Sequence, residues 1–313
     1  MEKISNSEEE IKGSLSRHAK SLRHSDSLDP ASPEYPSLTK KGVEQAREAT
    51  KTELWKMLNE APAGIVLFIG PKSDQERTAH TAEVYGEELK KMVATNPEIL
   101  VFTKQDIELM RSSTRGKKGN EGSVLASLRQ RINENQNKKI VITYPLHVKQ
   151  LAYSFQERWS TKGKKTEYFD LLLKKHNDNH AKAVHEWIRE EGRLVTDDGR
   201  MLQGPTPDDI AKQYIEGLRR TYLFLKKQLG NRPILIHGTG HQWDLDAVAT
   251  YLAKGKVTYQ NFIDVMGRST EDINKHPIGE SEVISNIEIH NKTGKATLTY
   301  RGKKYNTSLE GES

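Results

Sequence analysis

Three short apolar runs, each closed by glycine or proline and each leading into a helical pattern, constrain the fold most strongly. Gly64-Ile65-Val66-Leu67-Phe68-Ile69 is continuous and ends at Gly70-Pro71; Lys139-Ile140-Val141-Ile142-Thr143-Tyr144 ends at Pro145; Pro233-Ile234-Leu235-Ile236-His237 ends at Gly238. Runs without polar alternation read as strands covered on both faces, as in a parallel sheet. Residues 39 to 60 and 79 to 94 carry apolar positions at helical spacing, with Val43, Ala46, Leu54, Met57 and Leu58 on related faces. Strand and helix alternating in this way predict an α/β chain: a three-layer α/β/α sandwich with a mostly parallel central sheet.

About ninety residues separate the second and third runs, where a single crossover helix needs only a dozen or more. A helical insertion, or cap, is therefore expected over 146–230, with 1–145 and 231–313 forming the α/β core. Helices are predicted at 146–159, 168–187 and 207–229, with a break at Thr196-Asp197-Asp198-Gly199 and with Asp208 and Asp209 favouring the start of the last. Near the C-terminus, Ile287-Glu288-Ile289 and Ala296-Thr297-Leu298-Thr299-Tyr300 flank Asn291-Lys292-Thr293-Gly294, the pattern of a C-terminal β-hairpin at the sheet edge.

Composition narrows the chemistry. The 313 residues include no cysteine, which excludes disulfide scaffolds, thiolate metal sites and cysteine nucleophiles. The first residues lack the apolar stretch of a secretory signal and no run approaches the length that spans a bilayer, so a cytoplasmic chain with no membrane partner is expected. Lys and Arg number 49 against 43 Asp and Glu; a net charge of +6, with both signs interspersed, is too small to argue for a nucleic-acid partner.

The chemistry-bearing residues gather around the strand ends. Ser16-Arg17-His18-Ala19 lies near the N-terminus, followed about twenty residues later by Leu38-Thr39-Lys40-Lys41-Gly42-Val43-Glu44-Gln45-Ala46. After the first apolar run comes Ser73-Asp74-Gln75-Glu76-Arg77-Thr78-Ala79-His80-Thr81-Ala82, and after the third comes Gly238-Thr239-Gly240-His241. In order, these three motifs resemble the histidine phosphatase superfamily, the phosphoglycerate-mutase-like fold. The resemblance implies a first strand ending in Arg17-His18, a second arginine at Arg77 and a second histidine at His241. His237 competes for the last role but falls inside its strand. The Gly238-Thr239-Gly240 segment lacks the remaining residues of a nucleotide-binding loop and reads as a tight turn.

The residue types fit that assignment on chemical grounds. Ligands of open α/β sheets bind beyond the carboxyl ends of the strands. There a neutral His18 could attack phosphorus and carry the phosphoryl group. Arg17, Arg77 and His241 could bind the equatorial oxygens and stabilise the transferring charge, so no metal or other cofactor is called for. The partner implied is a small phosphorylated substrate. A proton donor for the leaving oxygen is also needed. The family places a glutamate in a Leu-x-Glu context after the next strand, whereas anchoring on Leu109 puts Arg111 there. Glu108 is the preferred donor and Glu121 the alternative. The basic run Arg111 to Lys118 is either a solvated loop or an anion-steering rim. His176, His180 and His185 lack acidic partners in any metal signature. Two functions follow: a metal-independent phosphomonoester hydrolase, or a non-catalytic module that retains a phosphate pocket.

Overall fold

The computed structural model describes residues 10–22, 29–113, 120–155, 165–230, 232–267 and 271–309, with the backbone alone at 111–113, 120–126 and 147. One sheet organises the chain. Its strands are β1 (Glu10–Arg17), β2 (Val66–Lys72), β3 (Ile99–Phe102), β4 (Lys139–His147), β7 (Ile234–Gly240), β8 (Val283–His290), β9 (Lys295–Tyr300) and β10 (Lys303–Ser308), in the order β10-β9-β8-β1-β7-β2-β4-β3. The five strands from β1 to β3 in this order are mutually parallel, and β8, β9 and β10 continue antiparallel. The remaining two strands, β5 (Arg193–Val195) and β6 (Met201–Gln203), form a separate small hairpin around the predicted break.

Alternation within the apolar runs builds two cores on opposite faces. Val66 and Phe68 of β2 and Ile140 and Ile142 of β4 join one cluster; Leu67, Ile69 and Val141 join the other. Side chains along a strand alternate in direction, so a run with no polar positions must be covered twice. The second cluster is closed by α1 (Lys40–Ala49), α2 (Trp55–Glu60) and α3 (Glu76–Met92), through Val43, Ala46, Leu58, Tyr85 and Leu89. A π-helical turn over Thr50–Leu54 joins α1 to α2, so the run predicted at 39–60 is helical from Lys40 on, with Thr39 as its extended N-cap. The first cluster is covered by α4 (Lys104–Ser113), α5 (Asn120–Glu134), α6 (Glu167–Lys175), α7 (His180–Arg189), α8 (Pro207–Leu229), α9 (Gln242–Lys254) and α10 (Tyr259–Met266). These are the three layers the pattern predicts.

Four local expectations need correction. The strands run on through their supposed terminators: β2 includes Gly70-Pro71, β4 includes Pro145 and β7 includes Gly238-Thr239-Gly240. A register shift between Ile69 and Pro71 absorbs the proline, which has no N–H to give the ladder. Residues 146–155 are not helical: they finish β4, make one 3₁₀ turn at Lys149–Leu151 and continue irregularly. The helix expected over 168–187 is two helices, α6 and α7, broken by Asn177 and Asp178 at positive φ. The C-terminal hairpin gains a third strand, β10, after Arg301 and Gly302 turn the chain at positive φ. By contrast, α8 begins at Pro207 with Thr206 accepting from Asp209 N at 3.2 Å, and it packs on β1, β7 and α9. Among the described residues no helix is long and apolar enough to cross a membrane.

Candidate active site

Sheet order explains why three distant segments meet. β7 lies between β1 and β2, all three parallel, so the residues following their carboxyl ends are neighbours: His18 after β1, His241 after β7 and the Ser73–Arg77 segment after β2. Because β7 extends to Gly240, His241 falls at the strand end as the N-cap of α9. His18 N donates to Gly240 O at 3.0 Å and ties the two ends together.

His18 and His241 are both 3% exposed, and Arg77 bridges them. Arg77 Nε donates to His18 Nε2 at 3.1 Å, and Arg77 Nη2 lies 3.3 Å from His241 Nδ1. The ring centroids of the two histidines are 5.2 Å apart. The partners fix the tautomers, because a guanidinium can only donate and a carbonyl can only accept. His18 Nδ1 therefore carries a proton and donates to Ala19 O at 2.7 Å, while its Nε2 lone pair faces Arg77. For His241, Nδ1 accepts from Arg77, so Nε2 donates to Ser73 Oγ at 2.7 Å. Ser73 Oγ also accepts from Gln75 N at 3.1 Å and lies 3.1 Å from Thr78 Oγ1, which itself donates to Gln75 O at 2.6 Å. Two neutral imidazoles thus present one lone pair each toward a single arginine.

The loop carrying His18 is gripped by the Leu38 to Ala46 segment. Thr39 caps α1 by accepting from Gly42 N at 2.9 Å, its own N–H donates to Lys20 O at 3.0 Å, and Gln45 Oε1 accepts from Lys20 N at 3.3 Å. A Cβ on Gly42 would stand 2.1 Å from Lys20 O. Helix propensity alone makes alanine better than glycine here by about 1 kcal/mol. The close approach reverses the sign. Gly42→Ala is expected to lose about 1–3 kcal/mol of stability, as overpacking does, and to lower activity by displacing the His18 loop. Thermal unfolding and turnover check both.

Arg17 ends β1, next to His18 in the chain. Its Nη1 donates to Ile278 O at 2.8 Å and its Nη2 is 4.0 Å from Glu280. Glu108 is not brought into the group: it lies on α4, lines the clefts beside Tyr144 and Leu146 and beside Tyr35 and Lys104, and among the described residues no hydrogen bond or ion pair joins it to His18, Arg77 or His241. The side chains of Glu121 and Arg111, and the segment holding Arg115, Lys117 and Lys118, lie outside the described residues. His237, the competitor, is buried inside β7, with Nδ1 2.7 Å from Ser14 Oγ and Nε2 3.1 Å from Ser16 Oγ. His176 pairs with Glu186 at 2.7 Å and His185 packs on Tyr259 and His276.

Burial pushes His237 from its ordinary 6.5 down to about 3. Between those values the unfolded chain binds a proton there that the folded chain does not, so stability falls on acidification through that window. Asp244, buried in the first turn of α9, is pushed from 3.8 up to about 7 by burial and acts in the opposite sense. Replacing His237 by glutamine removes only the first effect. His237→Gln is therefore expected to unfold with a smaller loss of stability between pH 6.5 and 4.5 than the parent chain, measured by denaturant midpoints.

Two contributors were missed as site residues. Ser73 opens the Ser73 to Ala82 motif, and its serine-to-arginine spacing is a signal for it. Tyr153 gave no such signal, because its segment resembled a helix; its ring lies 4.5 Å from that of His241, and its N–H donates to Asp74 Oδ1 at 3.1 Å.

No family model matches the chain, and no curated protein matches it. Among solved structures it is similar to the mycobacterial glucosyl-3-phosphoglycerate phosphatase, at 12% identity over 90% of this chain and 91% of that one, with a TM-score of 0.40. It is also similar to the alpha-ribazole phosphatase from Shigella flexneri, at 12% identity over 97% of this chain and 98% of that one, with a TM-score of 0.37. Values this low carry no argument about activity, and the functional reading rests on the side chains.

Proposed function

We propose that the chain is a metal-independent phosphomonoester hydrolase working through a phosphohistidine at His18, as the resemblance to the histidine phosphatase superfamily implies. The observation that carries the reading is the His18–Arg77–His241 group at the ends of three adjacent parallel strands, with the His18 tautomer that leaves Nε2 unprotonated. In the first displacement Nε2 bonds to phosphorus, and the bond from phosphorus to the leaving oxygen breaks as that oxygen takes up a proton from solvent. In the second, a water oxygen attacks phosphorus and gives up a proton to solvent, the P–N bond breaks and its electron pair returns to Nε2. Arg77 turns its N–H groups from the imidazoles to the phosphoryl oxygens, and Arg17 and His241 complete the cradle. The ligand is a small phosphorylated molecule.

The position of Glu108 supports a second reading, a non-catalytic module that keeps the phosphate pocket, since among the described residues no carboxylate of the expected motif joins the group. Hydrolysis of p-nitrophenyl phosphate separates the two. The hydrolase reading requires activity that survives a chelator. Protection by vanadate against thermal unfolding, without hydrolysis of a broad panel of phosphomonoesters, supports the module. Activity abolished by chelation contradicts the metal-independent mechanism.

A further inference from the structure

We infer that Asp246 and Arg301 are positioning residues for Arg17, so that the body of α9 and the C-terminal strands hold one of the cradle's guanidinium groups in place. The inference rests on the reading that Arg17 binds phosphate.

Arg17 closes β1 against the segment 276–282. Its backbone N donates to Glu282 O at 3.2 Å and its Nη1 to Ile278 O at 2.8 Å. Ile278 is fixed in turn from α9: its N donates to Asp246 Oδ1 at 2.7 Å. Asp246 is fully buried, and its Oδ2 accepts no hydrogen bond among the described residues. Burial pushes its carboxyl well above the ordinary range, while the Ile278 N–H and the charges of Arg17 and Arg301 pull the other way. A buried carboxyl satisfied at one oxygen costs stability relative to an apolar side chain of the same size. Its placement is accounted for by what it holds.

Arg301 secures the same segment from the turn between β9 and β10. Its Nε and Nη2 fork onto Glu282 at 2.7 and 3.0 Å, and further N–H groups reach His276 O at 3.2 Å, Pro277 O at 3.3 Å and Met266 O on α10 at 2.5 Å. Glu282 Oε2 also accepts from Gly279 N at 2.7 Å. Ile278 therefore sits between two tethers, Asp246 on one side and the Arg301–Glu282 pair on the other. A guanidinium recognises a phosphoryl group through a planar fork, so a carbonyl that fixes the orientation of Arg17 fixes how the fork meets its ligand.

A double-substitution cycle tests this. Asp246→Leu removes the acceptor for Ile278 N in a side chain of similar size, which Asp246→Asn would restore; Arg301→Lys keeps the charge and removes the fork. Each is measured alone and with Arg17→Ala, reading kcat and KM for p-nitrophenyl phosphate and the inhibition constant of inorganic phosphate. Coupling between residues of one network predicts a loss in kcat/KM of about 5-fold to 50-fold for each alone, with weaker phosphate inhibition and a thermal midpoint near that of the parent chain. In the Arg17→Ala background the same substitutions should add less than about twofold, because the group they position is gone. Equal effects in both backgrounds, or unchanged phosphate inhibition in Asp246→Leu, would overturn the inference while leaving the phosphohydrolase reading intact. Unchanged kcat/KM and phosphate inhibition in Arg17→Ala itself would overturn the role given to Arg17, and the inference with it.

Discussion

His18→Ala should lower the turnover of an aryl phosphate by at least about 10⁴-fold, the scale seen when a nucleophile is removed from a site whose other parts remain. The size follows from the two-step route. Without Nε2 no P–N bond forms, and water would have to attack the ester directly. Binding should survive: Arg17, Arg77 and His241 are held by partners other than the His18 ring, namely Ile278 O, the opposite imidazole and Ser73. The inhibition constant of inorganic phosphate is therefore expected to stay within about tenfold while kcat collapses, since binding and chemistry are carried by different groups. Steady-state kinetics with a phosphate inhibition series checks both halves.

Arg77→Ala should have the next largest effect, a loss of about 10²-fold to 10³-fold in kcat/KM, comparable to removing one donor of a preorganised oxyanion site. Here the loss has two sources. Arg77 donates to the attacking nitrogen, and it links the two histidines through Nε and Nη2. Unlike His18→Ala, the substitution should weaken phosphate inhibition together with turnover. Arg77→Lys should restore less than about tenfold, because an ammonium cannot span both imidazoles in the plane of a fork. A lysine variant with parental kcat/KM would contradict the bridging role.

Much of the core was legible because one physical rule controlled it. An apolar run such as Val66-Leu67-Phe68-Ile69 has no polar face to give to water, so it demanded two covering layers, and the structure supplies them. The grouping of His18, Arg77 and His241 followed because each motif trails a strand and the three strands are adjacent. Strand ends were misjudged because glycine and proline were read as terminators. In β7 the Gly238-Thr239-Gly240 backbone stays extended and pairs with Leu15, Ser16 and Arg17 of β1, a tertiary effect with no local signal. Residues 146–155 carry apolar positions that looked helical. Those side chains instead serve tertiary contacts, Leu151 and Phe155 entering the core and Tyr153 lying on His241.

The proton donor is the least legible part: anchoring on Leu109 puts Arg111 at the acid's position, and Glu108 is preferred only as the carboxylate one turn away. The structure puts that segment on α4, where Glu108 borders the clefts rather than the histidine pair. Asp246 and Arg301 were invisible for a different reason. Their importance lies in what Ile278 O does for Arg17, and a backbone carbonyl leaves no trace in sequence.

The central claim is that the phosphoryl group passes through His18. Rapid quenching of the protein during turnover of a ³²P-labelled phosphomonoester tests it most directly. The account predicts a label stable to base and labile to acid, residing on the peptide that contains His18 and absent from His18→Ala. Steady turnover with no label on the protein, or a label on any other residue, would contradict it.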